Sequence, residues 1–118
     1  TVVPTASIAT LFDHSVLEQD RQTLGNELVY EMVAMFYERS ASLIKDIQVN
    51  GSTETLERAA HSLKSSAGAV GLIALSKACE ELEIACKTGA DEQELKSFSK
   101  ALLSIYAPSI DKLKVEFQ

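Results

Sequence analysis

The fold and the chemistry of this chain turn on the stretch Ala59-Ala60-His61-Ser62-Leu63-Lys64-Ser65-Ser66-Ala67-Gly68-Ala69-Val70-Gly71. At about 100° per residue on a helix, Leu56, Ala60, Leu63, Ala67 and Val70 fall within about 80° of one another and form an apolar stripe. Such a stripe predicts the buried side of an amphipathic helix. His61 projects to the opposite half of the cylinder and shares its side with Lys64, Ser65 and Gly68. The imidazole is therefore expected at the surface, beside one cation and otherwise among small residues. Serine and glycine there sacrifice helix propensity, about 1 kcal/mol for a glycine relative to alanine. Spacing alone leaves two explanations open. Either an uncluttered surface admits another protein to the ring nitrogen, or the small residues let a neighbouring helix pack closely beside an ordinary surface histidine.

Upstream, Asn26 to about Val49 shows a long helical period in Leu28, Val29, Met32, Met35, Phe36, Leu43 and Ile47, with Glu27, Glu31, Glu38, Lys45 and Asp46 mostly off that stripe. The methionines suit core packing better than a promiscuous groove. Asn50-Gly51 ends this helix, and Ser52 with Glu54 opens the one that carries His61. A short helix is expected over residues 15–24, capped by Asp13 and stopped by Gly25, with His14 as a solvated residue at its start. Residues 1–12, with Pro4, carry no sustained period and predict a linker or arm lying on the bundle with little fixed structure; residues 13–118 predict the folded domain.

Downstream, Gly71 breaks or bends the chain. Leu72, Leu75, Ala78, Cys79, Leu82, Ala85 and Cys86 then repeat at three-four spacing up to Thr88-Gly89. Asp91 and Glu94 form a capping box that opens a last helix with Leu95, Phe98, Leu102, Ile105, Leu113 and Phe117 on one side. Pro108 lies inside it and is expected to kink or interrupt it. No strand pattern or hairpin signal competes with these helices. Short connections between long helices force antiparallel neighbours, so the expected fold is all-α: an antiparallel up-down-up-down four-helix bundle with a short extra N-terminal helix.

Composition narrows the function classes. The chain has 118 residues, 46% of them hydrophobic, which fits one ordered domain. A net charge of -6 with no tryptophan and no basic cluster disfavours a nucleic-acid surface. No run approaches the length of a membrane span, and no signal-peptide pattern opens the chain. Starting at Thr1, it is expected to be a piece of something longer. Cys79 and Cys86 stand seven apart on one helix, roughly 10 Å between Cα atoms, too far for a disulfide. As buried free thiols on the apolar stripe they suit a reducing compartment.

Familiar catalytic inventories are missing: no phosphate-cradling Gly-rich loop, no nucleophile elbow, no paired metal motif. Glu57 beside His61 would make a poor metal site on its own. What remains is an exposed histidine, which in its neutral form attacks electrophiles through a ring nitrogen. Phosphoryl transfer asks mainly for in-line positioning and for positive charge near the equatorial oxygens. Lys64 can place its ammonium beside a phosphoryl group on His61.

His61-Ser62-Leu63-Lys64, followed by Gly71, Leu75, Cys79 and Leu82-Glu83, resembles the signature of histidine-containing phosphotransfer (HPt) domains, in particular the HPt modules at the C-terminus of bacterial hybrid sensor kinases. The matched stretch runs from His61 to Glu83, and the four-helix reading extends the similarity to most of the chain. The resemblance implies that His61 is the phosphorylated nucleophile and that Lys64 steadies the phosphoryl group. It implies that Gly68 and Gly71 keep the surrounding surface low and that Glu83, glutamine in some family members, reaches the other ring nitrogen and sets the tautomer. Ser65 departs from the glycine most common there and should raise the rim only slightly.

The role implied is a relay intermediate in two-component signalling. His61 accepts a phosphoryl group from the aspartyl phosphate of one response-regulator receiver domain and passes it to the aspartate of another. No cofactor is expected on this chain, and Mg²⁺ is expected on the receiver. The domain would act as a carrier without an ATP site, a monomer in the cytoplasm, at the cytosolic end of a membrane-anchored sensor kinase. The receiver should dock over the helix of His61 and the helix beginning near Leu72 through a modest interface. The alternative is a helical-bundle adaptor, or a degenerate HPt domain that only binds receivers, in which His61 has no covalent role.

Overall fold

A computed structural model describes residues 3–117 of the chain. Among them, a single 3₁₀ turn (Ala6–Ile8) precedes α1 (His14–Leu24), α2 (Asn26–Val49), α3 (Thr53–Ala69), α4 (Ile73–Lys87) and α5 (Glu92–Glu116). Local chemistry sets the boundaries. The Asp13 carboxylate accepts the Ser15 N–H at 2.9 Å, and the Ser52 hydroxyl accepts the Thr55 N–H at 3.1 Å, each satisfying a donor that the first helical turn leaves unpaired. Asp91 and Glu94 complete the expected capping box, with Glu94 N–H on Asp91 Oδ1 at 2.8 Å. Asn50 ends α2 at φ 51°, a left-handed conformation that asparagine tolerates better than most residues.

The links between α2, α3, α4 and α5 are the short segments 50–52, 70–72 and 88–91, too short for anything but antiparallel packing of successive helices. The result is an up-down-up-down bundle, with α1 laid against α2. The most extensive contact is between α3 and α4. Ala60 and Ala67 on α3, with Ala74 and Ala78 on α4, are buried, and small residues at such positions let helix backbones approach. Leu56, Ala60, Leu63, Ala67 and Val70 are all buried, as their spacing predicts. Emptying the Leu63 position to alanine would cost about 2–5 kcal/mol.

Four expectations need correction. The buried face of α2 is rotated from the predicted stripe: Val29, Val33, Phe36, Ser40, Ile44 and Ile47 line the core, while Leu28 and Met35 are exposed. Both stripes have helical spacing, and burial against α3 and α5 selects one. The core face even carries a serine, because Ser40 Oγ pairs with Tyr106 Oη at 2.9 Å.

Pro108 does not interrupt α5, which runs unbroken to Glu116. Leu102, Ile105, Ser109 and Leu113 are buried on both sides of it, and this packing outweighs one lost backbone hydrogen bond.

The arm before α1 is more ordered than its lack of period suggests. Ala6 and Phe12 enter the core, and Glu81 accepts from the Thr5 and Ala6 N–H groups at 3.0–3.2 Å. The Thr10 carbonyl takes the Ala74 N–H at 2.9 Å, satisfying a donor in the first turn of α4. Thr1 and Val2, part of the expected arm, lie outside the described residues. His14 is exposed as expected, with Nε2 3.5 Å from Glu116 and its ring edge-on to Phe12.

Finally, Gly71 does not border the histidine. It is buried at φ 81°, where its carbonyl accepts the Asp13 N–H at 2.8 Å and an added Cβ would stand 2.6 Å from the Asp13 carbonyl oxygen. Only glycine fits that turn, so this residue fastens the chain before α1 to the α3–α4 corner.

Candidate functional site

His61 stands at mid-α3 with its side chain 63% exposed. Opposite it on α4 lies Glu83, whose side chain is only 4% exposed. A buried carboxylate requires partners, and Glu83 has three. Its Oε2 sits 2.6 Å from His61 Nδ1, its Oε1 accepts from Lys64 Nζ at 2.6 Å, and Lys87 Nζ lies 3.2 Å from Oε2. The Lys64 ammonium, the strongest influence, with His61 and Lys87 holds the Glu83 carboxyl down at about 2, against the opposing effect of burial. The hydrogen bond to Glu83 in turn raises Lys64 above the ordinary lysine value.

These contacts fix the chemistry of the ring. An ionised carboxylate only accepts, so Nδ1 must carry the proton. In the neutral imidazole the lone pair then resides on Nε2, the nitrogen turned away from Glu83. Lys64, 30% exposed, is charged and one helical turn from that nitrogen's residue.

The surrounding surface is shaped by small residues. Ser65 is exposed and Gly68 is partly exposed, and a Cβ on Gly68 would meet only Ser76 Oγ, at 3.6 Å. Ser76 Oγ donates to the Lys64 carbonyl at 3.0 Å, tying α4 to α3 beside the site. Ser65 lies on the open side, whereas the partly exposed Gly68 faces Ser76 of α4 with room for a Cβ between them.

The structure thus brings together His61, Lys64, Glu83, Ser65 and Gly68 and puts Gly71 elsewhere. Sequence reasoning passed over Lys87 and Ser76. The i,i+4 spacing of Glu83 and Lys87 was the available signal. Cys79, one turn before Glu83, is buried, and burial pushes its thiol up to about 12, so it stays an unreactive apolar group.

An exposed, tautomer-fixed histidine flanked by a lysine on an antiparallel four-helix bundle defines a histidine phosphotransfer type of site. The chain belongs to the Hpt domain family: residues 31–107 match that family's model. Its role is phosphorelay histidine phosphotransfer in two-component signalling. It is similar to the Sensor protein TorS of Escherichia coli (strain K12), 34% identical over 74 residues, which are 60% of this chain and 8% of that protein's length. In fold it is similar to the crystal structure of histidine-containing phosphotransfer protein B (HptB) from Pseudomonas aeruginosa PAO1. There the TM-score is 0.81 at 20% identity, over 92% of this chain and 95% of that one. HPt domains interact with receiver domains, and no helix among the described residues is long and apolar enough to cross a membrane.

Proposed function

We propose that His61 Nε2 is the atom that carries the phosphoryl group, taken from the aspartyl phosphate of one receiver domain and delivered to the aspartate of another. The observation that carries this reading is the 2.6 Å bond from His61 Nδ1 to the buried Glu83, which leaves Nε2 as the nucleophile on an exposed ring. The Nε2 lone pair attacks phosphorus, and the N–P bond forms as the P–O bond to the aspartyl carboxyl breaks. The electron pair of that bond leaves with the carboxylate. The ring, still protonated at Nδ1, becomes cationic and faces the Glu83 carboxylate. Delivery is the reverse: a receiver carboxylate oxygen attacks, and the N–P electron pair returns to Nε2.

Lys64 shifts from Glu83 toward the phosphoryl oxygens and offsets part of their charge. Mg²⁺ and the aspartate belong to the receiver, and this chain contributes the ring, its tautomer and a low rim for docking. The domain works as a monomer in the cytoplasm, as a module of a sensor kinase. The test is incubation with a phosphorylated receiver, scored for acid-labile, base-stable label. Label on the wild type and none on His61→Gln is expected, with slowed labelling of a folded Lys64→Ala. Absence of label on the wild type across a panel of receivers would overturn the reading.

A further inference from the structure

Two glutamates stand two positions apart on α4, so they leave the helix about 200° from each other, on opposite sides. Glu83 faces α3 and holds His61 Nδ1 at 2.6 Å. Glu81 faces the arm that precedes α1. Its carboxylate accepts the Thr5 N–H at 3.1–3.2 Å, the Ala6 N–H at 3.0 Å and the Thr5 hydroxyl at 2.8 Å. The other end of the arm is pinned at the corner between α3 and α4, where the Asp13 N–H donates to the Gly71 carbonyl at 2.8 Å and the Thr10 carbonyl takes the Ala74 N–H at 2.9 Å. Ala6 and Phe12 are buried along the same stretch. The arm is thus a strut laid antiparallel to α4, reaching from residue 71 to residue 81, roughly 15 Å at about 1.5 Å per residue.

We propose that Glu81 is a positioning residue for His61: through the arm it sets where α4 lies along α3, and so where the Glu83 carboxylate meets the imidazole. Helices packed through apolar contacts can slide on one another, and a shift of about 1 Å along the axis stretches a short hydrogen bond beyond useful length. α3 ends just before the Gly71 corner. With the strut fastened at that corner and at Glu81, the length of the arm sets the distance from the end of α3 to the middle of α4. Glu83 follows two residues on. The matching tie on the α3 side is Ser76 Oγ on the Lys64 carbonyl, at 3.0 Å. A glutamate that only fastened a loose end would add stability and leave the ring as it is.

The experiment reads the His61 tautomer by long-range ¹H–¹⁵N NMR and the rate of histidine labelling by phosphoramidate, a small donor that needs no docking surface. In Glu81→Ala the share of the neutral ring protonated at Nε2 is expected to rise about three- to tenfold, the worth of one weakened hydrogen bond to a charged group. Labelling should slow severalfold with it. The slowing rests on the function proposed above; the tautomer shift does not. Thr5→Val removes one bond from the arm side without touching α4 and should move the ring the same way, by less. Glu81→Gln keeps a neutral acceptor and should fall between the wild type and Glu81→Ala. Because Glu81 acts through Glu83, Glu81→Ala should change nothing further in a Glu83→Ala background. Asp91→Ala, which removes the α5 cap, should lower the melting temperature yet leave the ring and the rate as in the wild type. A Glu81→Ala ring that keeps the wild-type tautomer, or a Glu81→Ala effect that persists in full without Glu83, overturns the inference alone. No label on the wild type overturns the proposed function, and the ring measurement still decides the inference.

Discussion

Glu83 Oε2 stands 2.6 Å from His61 Nδ1, so a carboxylate buried on one helix dictates which nitrogen of an exposed imidazole on the next helix holds the proton. The geometry requires close approach of α3 and α4, which the alanines at their contact permit.

That relationship has a direct spectroscopic test. Long-range ¹H–¹⁵N NMR of the neutral imidazole should show His61 Nδ1 protonated and Nε2 bare, and Glu83→Ala should collapse the ring toward a mixture of tautomers. Glu83→Gln keeps an acceptor but no charge. It should slow transfer about fivefold, matching the difference of about 1 kcal/mol between charged and neutral hydrogen bonds. A wild-type ring protonated only at Nε2 would contradict the assignment of the nucleophile.

The same carboxylate links stability to acid. Its folded value of about 2 lies below the ordinary 4.5, so the folded state binds the proton less readily than the unfolded chain. The stabilisation is complete above pH 4.5 and is lost as pH falls toward 2. Urea midpoints recorded through that window should drop more steeply for the wild type than for Glu83→Gln. Parallel curves would show that Lys64, Lys87 and the His61 ring do not act on this group in the folded chain.

Two glycines that look alike in the sequence should respond oppositely to alanine. At Gly71 a Cβ meets the Asp13 carbonyl at 2.6 Å and φ is 81°, so Gly71→Ala should destabilise the fold by about 1–3 kcal/mol and loosen the arm. At Gly68 the nearest neighbour is 3.6 Å away, and Gly68→Ala should stabilise α3 by about 0.5–1 kcal/mol. Gly68→Leu should preserve helicity but block receiver docking. Calorimetry and the labelling assay separate these effects, and a destabilised Gly68→Ala would refute the open surface.

Cys79 should resist alkylation. With its thiol pushed up to about 12 by burial, it holds almost no thiolate at pH 8. Iodoacetamide followed by mass spectrometry should leave Cys79 unmodified in the folded chain and label it in urea. Rapid labelling without denaturant would mean that the α4 core opens readily.

Local chemistry made much of this protein legible from its residues. The span of α2, the Asp13 and Ser52 caps, the Asp91–Glu94 box and the outward face of His61 all follow from interactions within a few residues of chain. So does the adjacency of Lys64, because residues three apart share a helix face. The gathering of Glu83 with His61, by contrast, was legible only through a family pattern, since twenty-two residues and a helix reversal separate them.

What tertiary structure alone decided concerns choices that local rules leave degenerate. Two apolar stripes on α2 satisfy the same period, and only burial against α3 and α5 chose Val33 and Ile44 over Leu28 and Met35. Pro108 should break an isolated helix, yet core contacts on both sides carry α5 through it. Gly71 sits within reach of the histidine in sequence but is spent on the Asp13 turn. Helix formation depends on near neighbours, so sequence determines where helices start and end. The choice of buried face, and which distant charges meet at Glu83, depends on apolar area and charge brought together only when the helices pack.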